Sequence, residues 1–293
     1  MATKVEVIDE HHYHPPGLQH QFEDMPQQSE SVSLAMWMFL VQEIMFFGGL
    51  FTAYLVFRYR FPMAFAAGSN HLNAFWGGLN TLVLIVSSLT MALTVYFAQL
   101  GNRTMQMVMI VLTMLFGLTF LGVKAIEYTD KYNQGIVPVA GWNRVAKNPA
   151  AAAAEQNVPC WEHHEESEES YNNPRGNFEW TDCTLAKKAE DEGILTRYER
   201  AGYYSGNQLD GEKFGEHVRS FFWIYFVMTG LHALHMVIGL GIMLWLLFKA
   251  WQGTFGPDYY NPVEISGLYW HFVDIVWIFL FPLLYLLGRH FMH

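Results

Sequence analysis

Ser266-Gly-Leu-Tyr-Trp-His-Phe-Val-Asp-Ile-Val-Trp-Ile-Phe-Leu-Phe-Pro282 carries His271 and Asp274 inside a run long and apolar enough to cross a bilayer. An ionisable group at membrane depth costs at least roughly 2.5–3.5 kcal/mol on insertion scales, so it is normally turned into a protein interior or cavity and given a partner. The two residues stand three apart on one helix face, so the spacing predicts that they partner each other.

Working outward, four more segments have the same character. About 20 apolar residues cross the roughly 30 Å hydrocarbon layer, and Leu34–Phe57, Asn73–Gln99, Met105–Tyr128, Phe221–Lys249 and Ile265–Leu287 each qualify. The chain is 52% hydrophobic and only 15% charged, against roughly 25% charged in a soluble domain. The fold class is therefore all-α: a polytopic membrane helix bundle with five transmembrane helices and a large polar insertion between helices 3 and 4. The expected divisions are a tail at 1–32, helices 1–3 at 33–134, the insertion at 135–218 and helices 4–5 at 219–293.

The leader Met1–Glu30 is acidic, contains His11, His12, His14 and His20, and lacks the apolar core and small-residue cleavage site of a secretory signal. It reads as a solvated tail, with metal capture as the alternative. Ser29-Glu-Ser-Val-Ser33 is expected to cap helix 1. Glu43 then falls some 15 Å into the membrane, among Phe39, Leu40, Phe46 and Phe47. It must face another helix, water or a lipid head group, or be a neutral buried acid. Gly48-Gly49 offers close helix approach, and Asn80-Thr81 with Ser87-Ser88-Leu-Thr90 offers hydrogen bonds across a helix pair. A break at Phe61-Pro62 and a short loop to Asn73 make helices 1 and 2 expected antiparallel neighbours.

Helix 3 ends with Lys124, Glu127 and Tyr128. Long side chains near a helix end snorkel, so Lys124 and Glu127 are expected as interface anchors, with a site role as the alternative. Helix 4 carries His232 and His235 on one face. Neutral imidazole is a common metal ligand, but a bis-His haem needs two facing helices at matched depth, and only His271 could complement this pair. Cys160 and Cys183 lie outside the membrane runs, which excludes thiolate ligation there. The expected role of His232, His235, His271 and Asp274 is a buried polar cluster satisfied by Glu43, by each other or by lipid, and helices 4 and 5 are expected to be antiparallel across the short Gln252–Pro262 link. No catalytic or metal-holding residue is expected in this chain.

Gln42-Glu43-Ile-Met-Phe-Phe-Gly-Gly-Leu-Phe51, Leu79-Asn80-Thr81, Ile126-Glu127-Tyr128, Thr229-Gly-Leu-His232-Ala-Leu-His235 and Tyr269-Trp270-His271-Phe-Val-Asp274-Ile-Val-Trp277 resemble, in that order, subunit III of the haem–copper cytochrome c oxidases. The resemblance covers roughly 21–134 and 219–289 and fits the shorter, five-helix bacterial form. It implies a non-catalytic subunit of an oxygen-reducing, proton-translocating enzyme of aerobic respiration, in a bacterial cytoplasmic membrane. Haem and copper would then reside in partner subunits, subunit I directly alongside and subunit II nearby. Cytochrome c is the expected electron donor, with quinol as the alternative; nucleic acid is not an expected partner. The resemblance further implies bound phospholipid in a cleft near Glu43, and support of sustained proton uptake.

The insertion departs from that family's short link. Positions 139–216 hold eight Lys/Arg against fifteen Asp/Glu, seven of the chain's ten net negative charges. Asp182–Arg200 has caps and helix formers for a short surface helix, and the rest reads as solvated. The family's orientation puts the amino terminus in the cytoplasm and the insertion outside, where a Cys160–Cys183 bridge closing about two dozen residues would contribute roughly 3 kcal/mol. Free thiols, or zinc with His163 or His164, are the alternatives. The Lys/Arg rule taken alone mildly prefers the reverse orientation, because Arg58, Arg60, Lys131 and Arg289 fall on the far side against Lys4, Arg103 and Lys249. Two other function classes fit an ionisable bundle: a proton-coupled transporter and a b-type haem membrane anchor.

Overall fold

The computed structural model describes residues 18–133, 136–138, 161, 183–257 and 259–287. Its five long apolar helices are α1 (Met25–Arg60), α3 (Ala74–Gln99), α4 (Arg103–Asn133), α7 (Gly211–Gln252) and α8 (Asn261–Phe281), the last running into a π-helical turn at Pro282–Leu286. Between them lie α2 (Pro62–Asn70), α5 (Thr184–Asp191), α6 (Arg197–Tyr203) and a hairpin pairing β1 (Tyr204–Ser205) antiparallel with β2 (Gln208–Leu209). The chain is an all-α polytopic membrane bundle.

Several boundaries differ from the expectation. Helix α1 starts at Met25, where the Asp24 carboxylate accepts from Gln27 N at 2.7 Å, so Ser29–Ser33 lie within the helix and do not cap it. An Asp with Pro at the next helical position but one is the stronger start signal, because that Pro lacks an orphan amide. At 42 residues α7 is about 63 Å long, so its first turns stand above the membrane among insertion residues. The chain reverses where glycine can adopt positive φ: Gly101 (69°) between α3 and α4, and Gly253 (76°) closing α7.

Helix α8 is the centre of the bundle. Of its most apolar window 56% is buried inside the protein, against 17% for α1, and Trp270 and Trp277 are fully covered. Trp270 seats between two helices because both present glycine: a Cβ at Gly117 or Gly239 would stand 2.9 Å from its ring. Its indole N–H donates to Ser87 Oγ at 3.0 Å, and Thr90 meets Thr113 at 2.8 Å. These polar residues of α3 thus join helices as expected.

Helix α1 packs on α7, α8 and α2, whereas α3 packs chiefly on α4 and α8. The expected pairing of helices 1 and 2 is therefore corrected. The intervening segment is no short loop but the buried helix α2, which pushes α1 away from α3. Gly48 and Gly49 likewise approach nothing, since a Cβ at either would meet no atom within 4 Å. The close approaches are at Gly68, Gly77, Gly117, Gly202 and Gly239, each beside an aromatic ring. Helices α7 and α8 do pack together across their short link.

Candidate functional site

One polar centre lies where α4, α7 and the π turn meet. Lys124 Nζ donates to Glu127 Oε2 at 2.7 Å and to Tyr285 Oη. Glu127 Oε1 accepts from Tyr285 Oη at 2.6 Å and from Tyr225 Oη at 3.1 Å. The ammonium also stands 4.4 Å from the centre of the Trp277 ring, within cation–π range, and that indole donates to Thr81 Oγ1 at 3.1 Å. Lys124 is 4% exposed. It does not snorkel, and the interface-anchor expectation for Lys124 and Glu127 is corrected: Tyr225 of α7, Trp277 of α8 and Tyr285 of the π turn surround the ammonium on the inward face of α4. Tyr225 and Tyr285 were not singled out by the sequence. The one available signal was Pro282, which upsets the ladder and rotates Tyr285 inward.

A second pair joins α1 to α7. Glu43 Oε2 lies 3.2 Å from His235 Nε2, at ion-pair distance though without hydrogen-bond alignment, with both side chains about seven-eighths buried. His235 Nδ1 faces Leu231 O at 2.8 Å, and its own carbonyl accepts from Tyr269 Oη at 3.0 Å. Phe47 leans on the imidazole at 5.5 Å. Glu43 therefore has a helix partner, which the sequence left open.

His271 and Asp274 do not pair. His271 Nδ1 meets Ser88 Oγ of α3 at 2.5 Å, while neither Asp274 oxygen is hydrogen-bonded although the residue is 2% exposed. Ser88 stands between the two, its Oγ on the imidazole and close enough to the carboxyl to bridge them, since a hydroxyl can accept from one group and donate to another. His232 is also unpartnered at both nitrogens, in an aromatic box of Phe120 (5.4 Å) and Trp277 (5.3 Å). The expected single cluster of His232, His235, His271 and Asp274 thus divides into three separate environments. Among the described residues no three His, Cys, Asp or Glu side chains converge as a metal site.

Between α1 and α8 runs an apolar groove of about 710 Å³, lined from Trp37 past Gly48, Phe51 and Leu55 on one wall and from Leu268 past His271, Ile275 and Phe279 to Leu283 on the other. The open Gly48 widens it. Its far end is closed by α1 itself, where Tyr54 Oη donates to Leu283 O at 2.6 Å and Arg58 to Tyr54 Oη and Leu287 O. Leu283 lies in the π turn and Leu287 is its C-cap, so both carbonyls stand at a helix end where intrahelical partners run out.

Part of the polar insertion is folded onto the bundle. Instead of one surface helix over Asp182–Arg200 there are α5 and α6, and Glu199 and Tyr203 are fully buried. Cys183 is buried and disulfide-bonded. Cys160 lies outside the described residues, as do His11, His12, His14, His163 and His164.

The family profile described as cytochrome c oxidase subunit III matches residues 216–289, which are the end of α7's extramembrane turns, the rest of α7, and α8. Over 257 residues the chain is 22% identical to a probable quinol oxidase subunit 3 of Staphylococcus haemolyticus, covering 87% of this chain and 88% of that one. A cytochrome c oxidase subunit 3 of Thermostichus vulcanus is 41% identical over 66 residues, 22% of this chain and 33% of the relative. A heme-copper oxidase subunit I+III of Aeropyrum pernix is 24% identical over 272 residues, 90% of this chain and 24% of that longer one. The profile match, these relatives and five ordered motifs on five spanning helices together support a subunit III of the haem–copper oxidases.

Proposed function

We propose that this chain is a non-catalytic subunit of a proton-pumping terminal oxidase in a bacterial cytoplasmic membrane. It packs beside subunit I, holds phospholipid acyl chains in the α1–α8 groove and sustains proton uptake during turnover. The groove is the observation that carries the lipid reading: an apolar channel of about 710 Å³ along a spanning helix that is barely covered by the rest of the chain. Contact with subunit I is supported by the relative in which subunits I and III form one chain. Haem and copper reside in the partner subunits, the amino terminus is cytoplasmic, and the insertion is extracytoplasmic.

The electron donor in this reading is cytochrome c, because the acidic insertion would steer a basic donor. Whole-length similarity to relatives named probable quinol oxidase subunit 3 favours quinol as the second reading. Purification of the complex with and without this subunit tests the proposal. Haem and copper content should be the same in both, phospholipid should be retained only with the subunit, and activity of the depleted enzyme should decay during turnover. Loss of a haem or copper in proportion to this chain would overturn it. Turnover with reduced cytochrome c against quinol decides the donor.

A further inference from the structure

We propose that the folded part of the insertion is a clamp that fixes the α1–α2 corner and so sets the closed end of the α1–α8 groove; what the groove holds rests on the reading above. At the corner, α1 ends on Arg60 and α2 begins on Pro62, leaving orphan carbonyls and amides side by side. Helix α6 supplies partners to both. Thr196 Oγ1 donates to Arg60 O at 3.0 Å, Glu199 Oε1 accepts from Met63 N at 2.7 Å, and Tyr203 Oη accepts from Ala64 N at 3.2 Å.

The same carboxylate is also the capping-box residue of α6, where its Oε2 accepts from Thr196 N at 3.0 Å while Glu199 N donates to Thr196 Oγ1 at 3.2 Å. One fully buried carboxylate therefore caps two helix N-termini, where negative charge is favoured. Burial beside this carboxylate pushes the Tyr203 phenol well up, so the hydroxyl keeps its proton and bridges Glu199 to α2 by donating to Oε1 at 3.1 Å.

The corner cannot shift alone. Phe61 packs at a tilt against His217 of α7, ring centres 4.0 Å apart, Gly202 leaves the room this needs, and Gly68 lies against the Phe221 ring. The other end of α2 is held by Lys131 Nζ donating to His71 O. Since α2 also packs on the π turn, α1, α2 and the π turn form one block, and Leu55 and Leu283 at the groove's end belong to it. An insertion acting only as a solvated linker would place no buried carboxylate there.

Glu199→Gln keeps shape but turns one acceptor into a donor, stranding either Met63 N or Thr196 N. In the purified oxidase carrying this variant, amide exchange across 61–70 should quicken about tenfold, the factor that about 1.4 kcal/mol represents. The distance distribution between spin labels at Leu55→Cys and Leu283→Cys should broaden. Thr196→Ala, which removes the Arg60 contact, should broaden it less; it keeps the test open if the Gln variant does not assemble. Unchanged exchange and unchanged spin-label distances in an assembled variant overturn the clamp. Counting bound phospholipid in the wild-type complex by mass spectrometry examines the groove's occupant separately, because the exchange and distance measurements do not depend on it.

Discussion

Replacing Lys124 alone by methionine should damage the subunit more than replacing Lys124 and Glu127 together. The single change leaves the Glu127 carboxylate 12% exposed with two tyrosine hydroxyls and no cation, and removing one partner of a buried pair typically costs about 3–5 kcal/mol. It also loses the ammonium on the Trp277 face, a contact of roughly 0.5–2 kcal/mol that partly overlaps the first figure. In Lys124→Met/Glu127→Leu no charge is stranded. The two tyrosine hydroxyls keep a 3.3 Å contact with each other, so the double variant should lose only about 1–2 kcal/mol. At roughly 2–4 °C per kcal/mol, the melting temperature of the purified subunit in detergent should fall by about 6–20 °C in the single variant. In the double it should fall by less than about 8 °C. A single variant within about 2 °C of wild type, or a double as unstable as the two singles added, would refute a coupled buried pair and restore the snorkelling anchor.

Gly239→Ala should cost about 1–3 kcal/mol by driving a methyl into Trp270, whereas Gly48→Ala, which meets nothing, should be neutral or slightly stabilising in the same melting assay. Glu43→Gln should assemble normally yet release phospholipid faster on detergent washing, measured by mass spectrometry; equal lipid retention would leave Glu43 a packing acid for α7. Burial and the Lys131 ammonium push His71 down to about 3, so the unfolded chain, with a pKa near 6.5, binds a proton that the folded one refuses. Its contribution is therefore whole above pH ~6.5 and is lost as pH falls toward 3, with a slope below the full ~1.4 kcal/mol per pH unit because the residue is half-buried. Melting curves of wild type and His71→Asn should diverge from neutral to acidic pH, and parallel curves would sink the assignment.

The number of spanning helices, their order and the polar insertion were legible in the sequence by itself, because hydrocarbon forces each span to satisfy its own backbone over about 20 apolar residues. That constraint acts within a segment, so it needs no knowledge of neighbours. The role of Ser87 and Thr90 as helix-joining residues was readable too, because a hydroxyl inside hydrocarbon needs a hydrogen-bond partner. Which residues meet was not. Spacing put His271 and Asp274 on one face, yet Ser88 of α3 takes the imidazole. Gly48-Gly49 had the pattern of a packing stripe, yet the glycines that admit rings are others, opposite Trp270, Phe221 and Phe281. Lys124 sat near a helix end, and only Tyr225, Trp277 and Tyr285, brought to it from α7, α8 and the π turn, decide that it is buried. The closest partners of these groups, Tyr285 at 161 residues from Lys124 and Ser88 at 183 from His271, are remote in the chain. Interhelical packing in a membrane is driven by shape and a few hydrogen bonds and not by an apolar contrast between faces, so the sequence carries little periodic trace of it and tertiary structure alone decides it.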